Sequence, residues 1–153
     1  MAEYENDNEI ALAAQAPTGI TSFSDVLMQD VTEQGYWASF KVETMEDKKR
    51  LYSARNDNLL LKDFMGVVIE VKDIVLDTQT VNDANFGAKT VPCCHIVSTD
   101  GNTYQSLSSG VVRSACDLMS SFGMPETWDE PLQVVCKETD TNQGYRYKYL
   151  ALA

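Results

Sequence analysis

The chain has 153 residues, is 44% hydrophobic and 23% charged, and carries a net charge of −11. That length suits a single domain, and no apolar run reaches the roughly 18 residues that would mark a membrane-spanning helix. So acidic a composition argues against binding nucleic acid over the whole surface, although a local basic patch can attract phosphates on an acidic protein.

Residues 1–35 contain seven acids and no Lys or Arg. They read as an acidic, largely flexible tail in which Ile10, Ala11, Leu12, Ala13 and Ala14 form at most a short frayed helix. The start lacks a basic stretch followed by an apolar one, so no secretory signal is expected. Residues 36–153 are expected to form one domain. Tyr36, Ala38, Phe40 and Val42 alternate with Trp37, Ser39, Lys41 and Glu43, a period of two that predicts a strand. With Leu51, Tyr52, Ser53 and Ala54 as the return strand, residues 36–55 read as a β-hairpin tipped by Lys48, Lys49 and Arg50. Half of the basic residues lie within 41–62, which has six bases against four acids.

A barrel is expected over 65–152. Its first strand places Val67, Ile69 and Val71 on one face, then shifts the apolar parity to Ile74 and Leu76. One extra residue near Lys72 and Asp73, a bulge, accounts for the shift and would bend the strand. A polar loop is expected over 78–88, a second strand over 89–98, a tight turn at Asp100 and Gly101, and a third strand over 103–107. Ser108 or Ser109 can cap a helix carrying the stripe Val111, Ala115, Leu118, Met119 and Phe122, which Gly123 and Pro125 stop. Strands follow over 132–138 and 145–152. Five strands with one helix between the third and fourth are the wiring of an oligonucleotide-binding (OB) barrel, so the expected fold is all-β with one helix, preceded by the hairpin.

Several of these stretches resemble the small single-stranded-DNA-binding proteins of tailed bacteriophages, in particular those of phages with protein-primed replication. They are IVSTDGNTYQSLS at 96–108, LQVV at 132–135, GYRYKYLAL at 144–152, ARN at 54–56, LLKD at 60–63 and GVVIEV at 66–71. The resemblance spans about residues 36–152. It implies an OB barrel with an N-terminal extension that coats single strands during viral DNA replication in the cytoplasm of an infected bacterium. The acidic N-terminal segment is longer than that pattern needs.

Single strands are held by aromatic faces that stack on bases and by cations that follow the phosphates. The candidates are Trp37 with Lys41 on the polar face of the first hairpin strand, and Lys48, Lys49, Arg50, Tyr52 and Arg55 at and beyond the hairpin tip. Phe86 and Lys89 lie in or beside the loop joining the first two barrel strands, Tyr104 lies on the third strand, and Arg146 and Lys148 lie at the barrel mouth. Each has a plainer reading: core packing for the aromatic residues, solvated turns for the cations. Tyr145, Tyr147 and Tyr149 form a row that is either an outer surface meeting another subunit or simple packing.

Cys93, Cys94, Cys116 and Cys136 show no framework spacing and read as reduced, buried thiols. Adjacent strand residues point to opposite faces, so the pair Cys93 and Cys94 beside His95 predicts no metal site. No nucleophile elbow or phosphate loop points to an enzyme, and no cofactor is expected.

The expected partner is single-stranded DNA, with RNA open as well because stacking and phosphate contacts serve both. The acidic tail serves solubility on its plainest reading, and otherwise would recruit basic replication proteins or occupy the basic groove when DNA is absent. An alternative is a phage interaction or assembly protein that self-associates and binds no nucleic acid. An acidic DNA mimic is a third reading, opposed by the basic stretch.

Overall fold

The computed structural model describes residues 23–85, 87–140, 144 and 146–153. Strands β1 (Trp37–Ala38), β2 (Leu59–Leu60), β3 (Val68–Asp83), β4 (Gly87–Ser98), β5 (Thr103–Ser106), β6 (Leu132–Asp140) and β7 (Arg146–Leu152) form one sheet. Helices α1 (Phe23–Gln34), α2 (Met45–Asn56) and α3 (Ser109–Phe122) pack on it. The sheet runs β2-β5-β4-β3-β6-β7, with β1 also on β3, and curls into a half-barrel. No helix among the described residues is long and apolar enough to cross a membrane.

β3 organises the sheet. It pairs with β4 from Val71 to Asp83, with β6 over Val68 to Val71, and with β1 at Val75 and Leu76. The register shift between Val71 and Asp73 is the expected bulge. It lets Ile69 and Val71, then Ile74 and Leu76, all enter the main core, while Asp73, Val75 and Asp77 face outward. The segment expected as a loop over 78–88 instead continues the ladder to the pair Asp83 and Gly87. Residues 78–83 and 87–92 thus form a mostly exposed two-stranded arm.

The hairpin expected over 36–55 is not formed. Only its first limb is extended, as β1, and the second limb is helix α2. Thr44 caps α2 by accepting a hydrogen bond from the Asp47 N–H, and the Asp47 carboxylate accepts from the Thr44 N–H, a reciprocal capping box. The period-two reading of 36–42 survives: Tyr36, Ala38, Phe40 and Val42 pack with Leu51, Ala54 and Val75 in a second small core on the outer face of the sheet. The tail expected through residue 35 is helical from Phe23. Leu27 and Val31 of α1 are buried in the main core, and Gly35, at φ +89°, ends the helix by donating its N–H to the Val31 carbonyl.

α3 forms where expected, buried along Val111, Ala115, Leu118 and Met119 and ended by Gly123, but Phe122 at the end of the stripe is exposed and Ser108 stands at the N-cap without a side-chain bond. It also shields the free edge of β7. The Ser114 hydroxyl accepts from the Leu150 N–H and donates to the Gly110 carbonyl, so an edge amide is paired without another strand. This close approach requires glycine at 110, where a Cβ would lie 2.1 Å from the Lys148 carbonyl oxygen and 2.8 Å from the Tyr147 ring.

Gly110→Ala is expected to lower stability by about 1–3 kcal/mol through overpacking against backbone. A urea midpoint equal to wild type would contradict the contact. The Asp47 carboxyl is held below its ordinary 3.8 by the backbone N–H groups of Thr44 and Glu43. A carboxyl depressed in the folded state contributes stability that is complete above 3.8 and lost as pH falls through its lower native value. Amide protection factors in the first turn of α2 are therefore expected to fall below pH 3.8 and stay level above it; a fall centred near neutrality would refute this.

Candidate functional site

Beneath α2, the outer face of β3 carries two almost fully buried carboxylates, Asp73 at 4% and Asp77 at 3% exposure. Asp73 accepts from the Arg50 guanidinium and from the Ser39 hydroxyl at 2.9 Å, and Ser39 in turn accepts from the Ile74 N–H. Asp77 accepts from Arg55 Nε at 2.8 Å. Its second oxygen lies 2.8 Å from His95 Nε2, while His95 Nδ1 lies 3.0 Å from Asn58 Oδ1. Burial alone would raise the Asp77 carboxyl, but the hydrogen bonds from His95 and Arg55 outweigh it and hold the group below 3.8. Each arginine also lies over an aromatic ring: Arg50 is 4.1 Å from the Phe40 ring centroid and Arg55 is 5.9 Å from that of Tyr36.

This geometry reorders the expected cations. Arg50 and Arg55 hold α2 to the sheet through buried carboxylates, so phosphate contact is not their principal bond. Helix α2 instead brings together Lys48, Lys49 and Tyr52, at i, i+1 and i+4, on its solvent face. Tyr52 is 71% exposed. Lys41, Lys48, Lys49, Lys62 and Lys89 are exposed and make no ion pair among the described residues.

Two aromatic expectations change. Tyr104 is 5% exposed and packs edge-on against Phe64 at 5.1 Å, because β2 lies along β5 and turns that side chain into the core. Trp37 is half-buried against the main core, and its neighbour Ser39 is buried on Asp73, so the face that reads as polar in sequence is largely internal. Phe86 lies outside the described residues, as do Tyr145 and residues 1–22 of the expected tail. Lys89 is exposed on the arm opposite Val81. Arg146 bonds Glu138 at 2.9 Å, and Lys148 lies 3.5 Å from the same carboxylate. Tyr147 and Tyr149 stack at 6.1 Å beside α3.

A groove of about 290 Å³ opens between the end of β5 and β7, lined by Leu60, Lys62, Gln105, Leu107, Ser108 and Lys148 among others. It pairs Lys148 with Lys62, a residue of the basic stretch that spacing alone did not single out. Leu60 and Leu107 are each about 40% exposed there, at 41% and 39%. All four cysteines are buried and unbridged. Burial and then the Asp77 carboxylate push the Cys93 thiol up to about 12, and burial pushes Cys116 to about 11, which leaves these thiols unreactive.

A curled sheet with exposed arms, a helix face carrying Lys48 and Lys49 and a groove walled by Lys62 and Lys148 define the class, a β-rich half-barrel with its cations gathered on one stretch of surface. Residues 30–153 match the family described as Phage Single-stranded DNA-binding protein, and the chain belongs to that family of phage proteins. No curated protein and no solved structure shows significant similarity to it.

Asp73→Ala is expected to cost about 3 kcal/mol. That is the low end for breaking a buried pair, since Arg50 keeps a side-chain exposure of 38%. Hydrogen exchange would place the loss in α2 and β1. Protection unchanged there would show that the carboxylate does not dock the helix.

Proposed function

We propose that the protein binds single-stranded DNA without sequence preference and protects it during phage DNA replication in the infected bacterial cell, acting as a binding protein rather than an enzyme. The match of residues 30–153 to the phage family carries this reading. The strand order supports an OB-type barrel as its frame. β3, β4 and β5 form the meander, α3 follows, and β6 and β7 return beside β3. The β3–β4 arm and the β6–β7 hairpin then correspond to the two connections this fold uses for ligands.

The proposed track runs from the solvent face of α2 through β2 into the groove. Lys41, Lys48 and Lys49 would meet phosphates at one end, and Lys62 and Lys148 at the other. Tyr52 would stack on a base, Leu60 and Leu107 would offer an apolar floor, and Lys89 and Arg146 would flank the strand from the two arms. Nothing in this chemistry separates DNA from RNA, so paired oligo-dT and oligo-U titrations belong in the test. We further propose that the acidic N-terminal segment recruits basic replication partners and that the tyrosine pair supports self-association.

Oligo-dT is expected to bind tightly at low salt and weaken steeply as salt rises. The double change Lys48→Ala, Lys49→Ala should reduce the log–log salt slope by about 1.4, at about 0.7 per phosphate for single strands. Tyr52→Ala should weaken binding by about 1–3 kcal/mol, the range for one stacked base. Absence of any low-salt binding, together with a defined oligomer in light scattering, would favour the assembly reading instead.

A further inference from the structure

We propose that Asp77, Cys93 and His95 form a binding site for a zinc-class divalent ion that locks α2 onto the sheet. Asp77 and Cys93 are direct cross-strand partners, and His95 lies two residues along β4 from Cys93, so all three project from one face. The adjacency of Cys93 to Cys94 conceals this spacing, because the functional pair is Cys93 and His95. The three ligand atoms lie within 4.8 Å of one another, and all three residues are buried. Ligand atoms around a tetrahedral zinc are about 3.3–3.8 Å apart for bonds of about 2.0–2.3 Å. The cluster therefore needs only small side-chain adjustments, and a water would supply the fourth ligand.

The hydrogen-bond partners point the same way. His95 Nδ1 faces the Asn58 amide oxygen and Nε2 faces an Asp77 oxygen, and both of these atoms only accept. A neutral imidazole that donates from Nδ1 to Asn58 turns its Nε2 lone pair toward a carboxylate. An ion seated between the two would turn this opposition of acceptors into coordination, whereas without one an Nε2 proton donated across 2.8 Å joins them. The Asn58 amide nitrogen is buried without a partner. The second Asp77 oxygen is held by Arg55 Nε. Imidazole and carboxylate thus each give one atom to the centre and have the other fixed from outside, the usual support of a metal ligand. Thiolate, imidazole and carboxylate together suit zinc better than magnesium or calcium. Asn58 and Arg55 lie at the end of α2 and just beyond it, so the ion would tie that helix to β3 and β4.

The test uses the full-length protein, purified without chelator. Elemental analysis is expected to find about one zinc per chain, and chelation should lower the melting temperature. Cobalt added to the chelated protein should restore it, with a near-ultraviolet thiolate-to-cobalt band that Cys93→Ser abolishes and Cys116→Ser leaves. Less than a tenth of an equivalent of metal, with a melting temperature indifferent to chelator, zinc and cobalt, would overturn the proposal and leave a protonated His95 or a reversed Asn58 amide as the bridge. A cobalt band that persists in Cys93→Ser would overturn it as well. The wild-type metal content decides the matter even if the variants fail to fold.

Discussion

Two carboxylates buried on the outer face of β3 dictate how the N-terminal third of the domain is arranged. A charge removed from water costs several kcal/mol unless it is paired and hydrogen-bonded. Asp73 and Asp77 therefore require cations at fixed positions, and Arg50 and Arg55 supply them from one helix. α2 itself gives only Leu51 and Ala54 to the apolar cluster beneath it, where they meet Val75 and the residues of 36–42. Electrostatic complementarity thus fixes where α2 sits, and the aromatic residues at 36 and 40 complete it by covering the guanidinium faces.

That docking separates the cations into two roles. Arginines go to the interior of the interface, where a planar guanidinium can bond a carboxylate and stack on a ring at once. Lysines remain on the solvent side, where a compact and strongly hydrated charge is easily exchanged for a phosphate. The strong acidity of the chain is therefore compatible with ligand binding. Part of the negative charge is neutralised internally, and four of the eight lysines lie along 41–62, with Lys148 brought in from β7.

The open seam between β5 and β7 follows from how the free edges are satisfied. β2 covers β5 with a two-residue parallel pair, and α3 covers β7 through Ser114 and the close approach at Gly110. With both edges partnered locally, nothing compels the two strands to meet, and a groove walled by Lys62 and Lys148 stays open.

The sequence by itself determined whatever depends on neighbours within a few residues. The alternating strands, the turn at Asp100 and Gly101, the apolar stripe of α3 with its stop at Gly123, and the bulge at Lys72 were all legible, because periodicity and turn chemistry are local. α1 also left a signal, with Phe23, Leu27 and Val31 spaced by four before Gly35, and so did the capping box of α2 at Thr44 and Asp47. Both were outweighed by stronger cues, the acidity of the first 35 residues and the alternation over 36–42. Only the tertiary structure decided that α2 is a helix docked by arginines, that Tyr104 is internal, that Lys62 faces Lys148, and that Asp77 joins Cys93 and His95. Each of these rests on contacts between strands or between helix and sheet across many residues of chain, and pairing at that range leaves no periodic mark in the sequence.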